Sequence, residues 1–181
     1  RDNRGLRVWL PVKLLGFVSD ATSRWSKGVA FSAAQVSEEG IICWPATADS
    51  AITLGAYAGH VGSPWEYPIT GDKAGDLRKY SGRGVRIDGK QIMDITAPDN
   101  PLAPYEKGHG AFRVFGGTSG AGPHVAAAAA LLKQMNPKLD GLAVRDALRK
   151  GALVDAQVGA VPSKTWGYGK LRVYRTLFGE D

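Results

Sequence analysis

The residues best suited to chemistry lie in one short stretch, Gly116-Gly117-Thr118-Ser119-Gly120. A glycine pair, a Thr-Ser pair and a following run of small residues can present a serine hydroxyl at the N-terminus of a helix. At that end of a helix the first backbone N–H groups are unpaired, and the helix dipole favours developing negative charge. Acyl transfer passes through a tetrahedral oxyanion and therefore requires such an arrangement.

The bulk composition describes a soluble globular chain. Its 181 residues suffice for one domain with a hydrophobic core, since 44% are hydrophobic and 22% are charged. The net charge of +6 is dispersed without a basic tract, so we predict no nucleic-acid partner. No run approaches the roughly 18 apolar residues of a membrane span, and we predict none. The lone Cys43 cannot form an internal disulfide, and its apolar neighbours predict a buried side chain.

The first half of the chain carries strand patterns. Residues 1–50 contain short alternating segments, among them 6–14, 29–31 and 41–43, and they predict a β-rich segment. The apolar residues 51–57 predict a strand buried on both faces, as in a parallel sheet, and residues 92–98 predict another short strand.

The second half carries helix patterns. A helix is predicted from Ser119 to about Gln134, with its start close to Thr118 or Ser119 because Pro123 is acceptable only near the first turn. A second helix is predicted over residues 141–150, with Asp140 as N-cap and Gly151 as C-cap. Its predicted buried positions are Leu142, Val144, Ala147 and Leu148. The final segment, 171–177, is predicted to become helical toward its end.

Five motifs give this chain a family resemblance. Residues 116–126 resemble the GTSxAxPHVA serine box of the subtilisin-like peptidases, the subtilase family. On that match Ser119 would be the nucleophile. The other four occur in family order: 52–56 resembles the ITVGA strand, 80–84 resembles FSSRG, 88–98 resembles DGRIKPDITAPG, and 167–171 resembles the GYGxVNAxxA segment that ends the domain.

The resemblance implies an α/β fold of the subtilisin-like three-layer type, in which helices flank a parallel sheet, present here as a partial domain. It assigns residues 51–181 to the C-terminal half of a subtilase catalytic domain. Segments 8–11 and 43–48 look similar to the end of a β-sandwich. Bacterial subtilases of the clostridial spore-germination type insert such a sandwich before this strand, and we predict that residues 1–50 belong to one.

The partners that a catalytic serine needs are missing from the sequence. Subtilisin has the chain order Asp, His, Ser, so a C-terminal half keeps only the serine. His124 matches the structural Pro-His of the family, and His60 and His109 are interpreted as exposed loop residues. Asp94 is interpreted as a structural carboxylate, and no segment resembles the AAGN motif that supplies the oxyanion asparagine. The chain opens Arg1-Asp2-Asn3, without an initiator methionine, so we expect the gene product to begin upstream.

The serine box departs from the family pattern at two positions, and the turn after Pro98 departs as well. Gly120 replaces the common methionine after the serine, which predicts a wider space beside the nucleophile. Gly122 replaces an alanine or serine, and each glycine lowers helix propensity by about 1 kcal/mol. Asp99-Asn100 replaces the family glycine after Pro98, so we expect a different turn there.

These features predict a serine endopeptidase that acts on polypeptides with the aid of an N-terminal half. Alone the chain should be nearly inactive, because removing the triad base of subtilisin costs on the order of a millionfold in kcat. The alternative is a catalytically inactive pseudo-protease or protein-binding scaffold, and a third hypothesis is self-association of the half-domain. We predict no cofactor and no metal site in this chain, with structural calcium left open elsewhere in the full protein. The resemblance favours a secreted or cell-envelope location.

Overall fold

Four segments of the 181-residue chain are described by the computed structural model: residues 40–62, 72–86, 88–104 and 112–179. They belong to one structural unit, Glu38–Asp181. The strand predictions at 6–14 and 29–31, and the loop interpretation of His109, fall outside the described residues.

A pair of parallel strands forms the centre of the fold. Strand β1 (Leu54–Tyr57) lies beside strand β2 (Ile95–Pro98), with Leu54 opposite Ile95 and Tyr57 opposite Pro98. The far edge of β2 is extended by the turn at 169–171, whose backbone exchanges hydrogen bonds with Thr96. The predicted parallel sheet is confirmed, although both strands are shorter than the segments predicted to form them.

Three helices follow: α1 (Thr118–Met135), α2 (Gly141–Lys150) and α3 (Val173–Phe178). Helix α1 contacts both strands of the parallel pair as well as α2 and α3. Its buried face is made mostly of small residues, which allow a helix to approach a sheet closely. The core cluster comprises Ala56, Ile95, Ala97, Ala121, Val125, Ala128, Leu132, Val144, Leu148, Ala152 and Leu171.

A short hairpin connects β2 to α1. Strand β3 (Leu102–Pro104) pairs antiparallel with strand β4 (Phe112–Val114), and Leu102 lies opposite Val114. The sequence patterns did not predict this hairpin. It matters because the chain passes from β4 into the glycine pair that precedes Ser119.

The helix predictions are largely confirmed, and two burial predictions, for Leu142 and Cys43, are wrong. Helix α2 has the predicted bounds, and the Asp140 carboxylate accepts the N–H of Ala143 at 2.8 Å. Leu142 is half exposed, because its place on α2 faces away from the contact with α1. Cys43 is also exposed, and residues 41–43 form no strand. There the N–H groups of Gly40 and Ile41 both donate to the Arg83 carbonyl.

Among the described residues, no helix combines the length and the apolar character needed to cross a membrane.

Candidate active site

Helix α1 begins with an uncapped N-terminus, and Ser119 is its second residue. The N-cap is Gly117, whose φ of 84° lies in the region that disfavours side chains and which offers no capping group. Its carbonyl accepts the N–H of Gly120 at 2.8 Å and that of Ala121 at 3.3 Å. Within the described residues, the N–H groups of Thr118 and Ser119 have no acceptor.

This open helix end suits the chemistry of acyl transfer. The Ser119 side chain is exposed, and its hydroxyl makes no hydrogen bond to the described part of the chain. The unpaired Ser119 N–H and the positive end of the helix dipole lie beside that hydroxyl, where they can stabilise an oxyanion. Within the described residues, the arrangement supplies an accessible hydroxyl and an N–H group suited to an oxyanion, but no base.

The described histidines form other contacts. The His124 ring lies 3.0 Å, Nδ1 to oxygen, from the Gly120 carbonyl of its own helix, which fits the structural role given to it. The backbone of His60 is held by the Asn100 side chain, which accepts its N–H at 3.1 Å and donates to its carbonyl at 2.7 Å. Asn100 is fully buried in this role, so its amide braces the loop after β1.

Asp94 is buried inside a structural network, as its sequence context indicated. One carboxylate oxygen accepts both Nε and Nη2 of Arg149, and the other accepts the Thr53 N–H at 2.6 Å. The Arg149 guanidinium also lies over the Tyr168 ring, 4.7 Å from its centroid. These contacts join α2 to the strand pair and leave the Asp94 carboxylate fully occupied.

The Gly120 departure does not create space, contrary to the sequence-based prediction. Gly120 is buried, and a Cβ built on it would lie 2.1 Å from the Asp99 carbonyl oxygen and 2.2 Å from that of Phe115. The backbone on either side of the hairpin closes against this position. A Cβ on Gly122 would meet nothing within 4 Å. Packing therefore excludes a side chain at position 120 but would accept one at position 122.

A buried polar chain lies behind the serine turn. The Asp99 side chain is fully buried, and its Oδ2 accepts Arg78 Nε at 2.9 Å and the Tyr80 hydroxyl. The Tyr80 oxygen in turn accepts the Gly117 N–H at 3.2 Å. Arg78 is itself buried and also binds the Asp72 carboxylate at 2.8 Å. This chain of contacts joins a buried ion pair to the N-cap of α1.

The electrostatics of Asp99 are dominated by its burial. Desolvation raises the pKa of this carboxyl above its ordinary value, and the Arg78 guanidinium opposes the rise. Its second oxygen, Oδ1, is buried without a hydrogen-bond partner among the described residues. The sequence signal for this site was the Asp99-Asn100 pair after Pro98, where the family pattern has glycine.

An open cavity of about 480 Å³ adjoins the serine turn at Thr118. Its other lining residues are small or apolar: Pro45, Ala46, Ala48, Ser50, Ala51, Ile52 and Leu54. Side chains from outside fix the backbone of this wall. Thr53 Oγ1 donates to the Ala46 carbonyl at 2.5 Å, Arg86 to that of Thr47 at 3.0 Å, and Arg145 to that of Asp49 at 2.8 Å. The sequence patterns gave no signal of this cavity, because its wall is assembled from residues before β1, the first residue of β1 and Thr118, which is far along the chain.

The described residues contain no group of three or more His, Cys, Asp or Glu side chains suited to a metal ion.

The fold is that of the subtilisin-like proteases. The protease CspB of Clostridium perfringens is 30% identical over 74% of this chain, with a TM-score of 0.58. Fervidolysin from Fervidobacterium pennivorans, a keratinolytic enzyme related to subtilisin, is 22% identical over 74% of this chain, with a TM-score of 0.55. A lanthipeptide protease is 21% identical over 74%, with a TM-score of 0.52. The chain spans 27%, 20% and 42% of these three proteins, respectively.

The amino-acid sequence places the chain in the same group of proteins. The model of the subtilase family, peptidase S8, matches residues 23–169, and the chain therefore belongs to that family. No curated protein matches the chain. The resemblance seen in the five motifs and the subtilisin-like α/β fold are thus both confirmed.

Proposed function

We propose that this chain is the C-terminal half of the catalytic domain of a subtilisin-like serine endopeptidase, with Ser119 as its nucleophile. The observation that carries the proposal is the exposed Ser119 hydroxyl at an open helix N-terminus, inside a motif of the family to which the chain belongs.

In the proposed reaction the Ser119 Oγ attacks the carbonyl carbon of a peptide bond. Its proton passes to a histidine of the N-terminal half, and the carbonyl oxygen becomes an oxyanion that accepts the Ser119 N–H. The histidine then returns the proton to the leaving amine as the C–N bond breaks, which leaves an acyl-enzyme. Water, deprotonated by the same histidine, attacks the ester and restores the serine. An aspartate and an oxyanion asparagine also come from the N-terminal half.

The exposed face of α1 supports a partner of this kind. Beginning at Ser119, exposed uncharged residues follow one another at helical spacing along the helix: Pro123, Ala126, Ala127, Ala130 and Leu131. A helix that is apolar around most of its circumference is typically buried in a larger core. The proposed N-terminal half covers this face and brings the triad histidine and aspartate toward Ser119.

The cavity beside Thr118 supports a substrate assignment. Its wall of small and apolar residues suits an apolar side chain next to the scissile bond, since burial of such a side chain contributes about 1.5–3 kcal/mol. We therefore propose that the enzyme accepts polypeptides with an apolar residue at that position.

The test is active-site labelling of the full-length gene product and of this chain alone, read by intact mass. A fluorophosphonate bearing an apolar group should add once to Ser119 in the full-length protein, faster than an analogue bearing a charged group. Ser119→Ala should abolish the adduct with an unchanged melting temperature. If the folded full-length protein takes no adduct, the chain belongs instead to a pseudo-protease or binding scaffold.

A further inference from the structure

We infer that Asp99 and Tyr80 are positioning residues of this enzyme: together they hold the Gly117 amide, and through it the backbone N–H of Ser119. The inference rests on the proposed function, because it assigns a role within the same site. It concerns groups that lie behind the nucleophile and away from the substrate.

Three departures from the family patterns meet at this place. Tyr80 stands where FSSRG has phenylalanine, Asp99 stands where the family has glycine, and Gly120 stands where it commonly has methionine. The first adds a hydroxyl, the second adds a carboxylate, and those two groups are hydrogen-bonded to each other. The third removes the side chain that would collide with the Asp99 carbonyl. The first two changes therefore supply hydrogen-bond partners for each other, whereas the third relieves a clash with backbone atoms that any residue at position 99 would present.

The contacts run in one direction, from the buried ion pair to the serine turn. Arg78 fixes the Asp99 carboxylate, with Nε at 2.9 Å from Oδ2, and that same oxygen accepts the Tyr80 hydroxyl. Because Tyr80 donates its proton to Asp99, its oxygen is free to accept the Gly117 N–H at 3.2 Å. A hydroxyl that donates to a carboxylate is a stronger acceptor than one that donates to water.

The position of Gly117 makes this contact consequential. Gly117 has the only backbone of the 116–120 turn with a positive φ, and it provides no side chain of its own to hold the turn. Its orientation decides where the N–H groups of Thr118 and Ser119 point, because they follow it directly in the chain. The Asp99 carbonyl closes on Gly120 from the other side. Asp99 therefore braces the turn through its backbone and, through Tyr80, by its side chain.

Asp99 does not act on substrate directly. Its side chain is fully buried, so it cannot contact a polypeptide bound over Ser119. Asp99 fixes the geometry of the serine turn, so its replacement should change the rate of the chemical step more than the binding of substrate. This expectation separates a positioning role from a merely structural one.

The test compares Tyr80→Phe, Asp99→Asn and the double variant in the full-length protein. Tyr168→Phe is the matched control, because it removes a phenol hydroxyl while keeping a ring that lies over the Arg149 guanidinium of α2. Two readouts are used: the maximal rate and half-saturating concentration of fluorophosphonate labelling, and hydrogen exchange of the amides in a peptide covering residues 112–121.

We expect Tyr80→Phe and Asp99→Asn each to lower the maximal labelling rate on the order of tenfold, with an unchanged half-saturating concentration. The double variant should be no slower than the slower single variant, since both break one chain of contacts. Amide exchange at Gly117 should rise in all three and stay unchanged in Tyr168→Phe.

The inference would be overturned if Tyr80→Phe kept its labelling and amide exchange rates within twofold of those of the unchanged protein. It would also be overturned if the effects of the two single substitutions on the labelling rate multiplied fully in the double variant. If Asp99→Asn does not fold, Tyr80→Phe alone decides, because it keeps the ring. If the unchanged protein is not labelled at all, the proposed function fails, and amide exchange still tests the contact chain by itself.

Discussion

The N-termini of α1 and α2 solve the same problem in opposite ways. Each helix begins with N–H groups that have no acceptor within the helix. At α2, the Asp140 carboxylate takes the Ala143 N–H at 2.8 Å. At α1, the N-cap is a glycine without a side chain, and the N–H groups of Thr118 and Ser119 stay without acceptors among the described residues.

Under the proposed function, the difference shows how a helix end becomes a site. A capping side chain satisfies the donors and stabilises the helix, so nothing remains for a ligand. An uncapped end keeps its donors for a developing negative charge, and its geometry must then be held from outside. At α1 that support comes from the buried chain of Asp99 and Tyr80.

The largest effect on stability is expected from Gly120→Ala, with Gly122→Ala as its matched control. The new methyl group at Gly120 would lie 2.1 Å from the Asp99 carbonyl, and such overpacking costs about 1–3 kcal/mol of unfolding free energy or more. At Gly122 the methyl group meets nothing, so the higher helix propensity of alanine should raise stability by up to about 1 kcal/mol. Denaturant unfolding measures the change in unfolding free energy of each variant. Equal changes in the two variants would refute the prediction.

The next largest effect separates the two helix ends directly. Gly117→Ala should cost about 1–2 kcal/mol, because alanine is strained at a φ of 84°, and it should also slow fluorophosphonate labelling. Asp140→Ala should cost a similar amount, about 1 kcal/mol, through the lost cap, yet leave labelling unchanged. Slower labelling in Asp140→Ala, at a temperature where it is fully folded, would contradict the division of roles.

The smallest effect is on the pH dependence of stability, and its sign differs between two aspartates. Burial raises the pKa of Asp99 above 3.8, so the folded protein binds this proton more tightly. Stability should therefore fall as pH rises from about 3.8 through the native pKa of that group. The hydrogen bond from Arg86 lowers the pKa of the exposed Asp88 to about 2, so its contribution should be lost as pH falls from 3.8 toward that value.

Thermal unfolding between about pH 2 and pH 6 checks these signs against Asp99→Asn and Asp88→Asn. Asp99→Asn should remove a decline in stability with rising pH, and Asp88→Asn should remove a decline with falling pH. The same slope in both variants would show that the serine turn is no more desolvated than the exposed loop.

Local features were predicted well wherever neighbouring residues decide the structure. Helix α2 had the predicted bounds because its cap, its periodicity and its final glycine all lie within twelve residues. The start of α1 lies where it was predicted, although Pro123 is inside the helix and past its first turn. The five motifs, each short and local, likewise identified the family and with it the fold.

Features that depend on distant residues were missed or misread. In the sequence, Gly120 predicts open space beside the nucleophile. Only the fold brings the backbone carbonyls of Asp99 and Phe115 against it. Cys43 reads as a core residue, and the fold leaves it exposed beside the wall of the cavity. The hairpin of β3 and β4 carries no strong alternation, since it is three residues long on each side.

The family, the nucleophile candidate and the helices follow from the sequence alone, because each is encoded in contiguous residues and their spacing. The tertiary structure alone decided how the serine turn is held and which residues wall the cavity beside it. The physical reason is that Asp99, Tyr80 and Gly117 are far apart in the chain. A hydrogen-bonded chain between them exists only once β2, the hairpin and α1 have packed together.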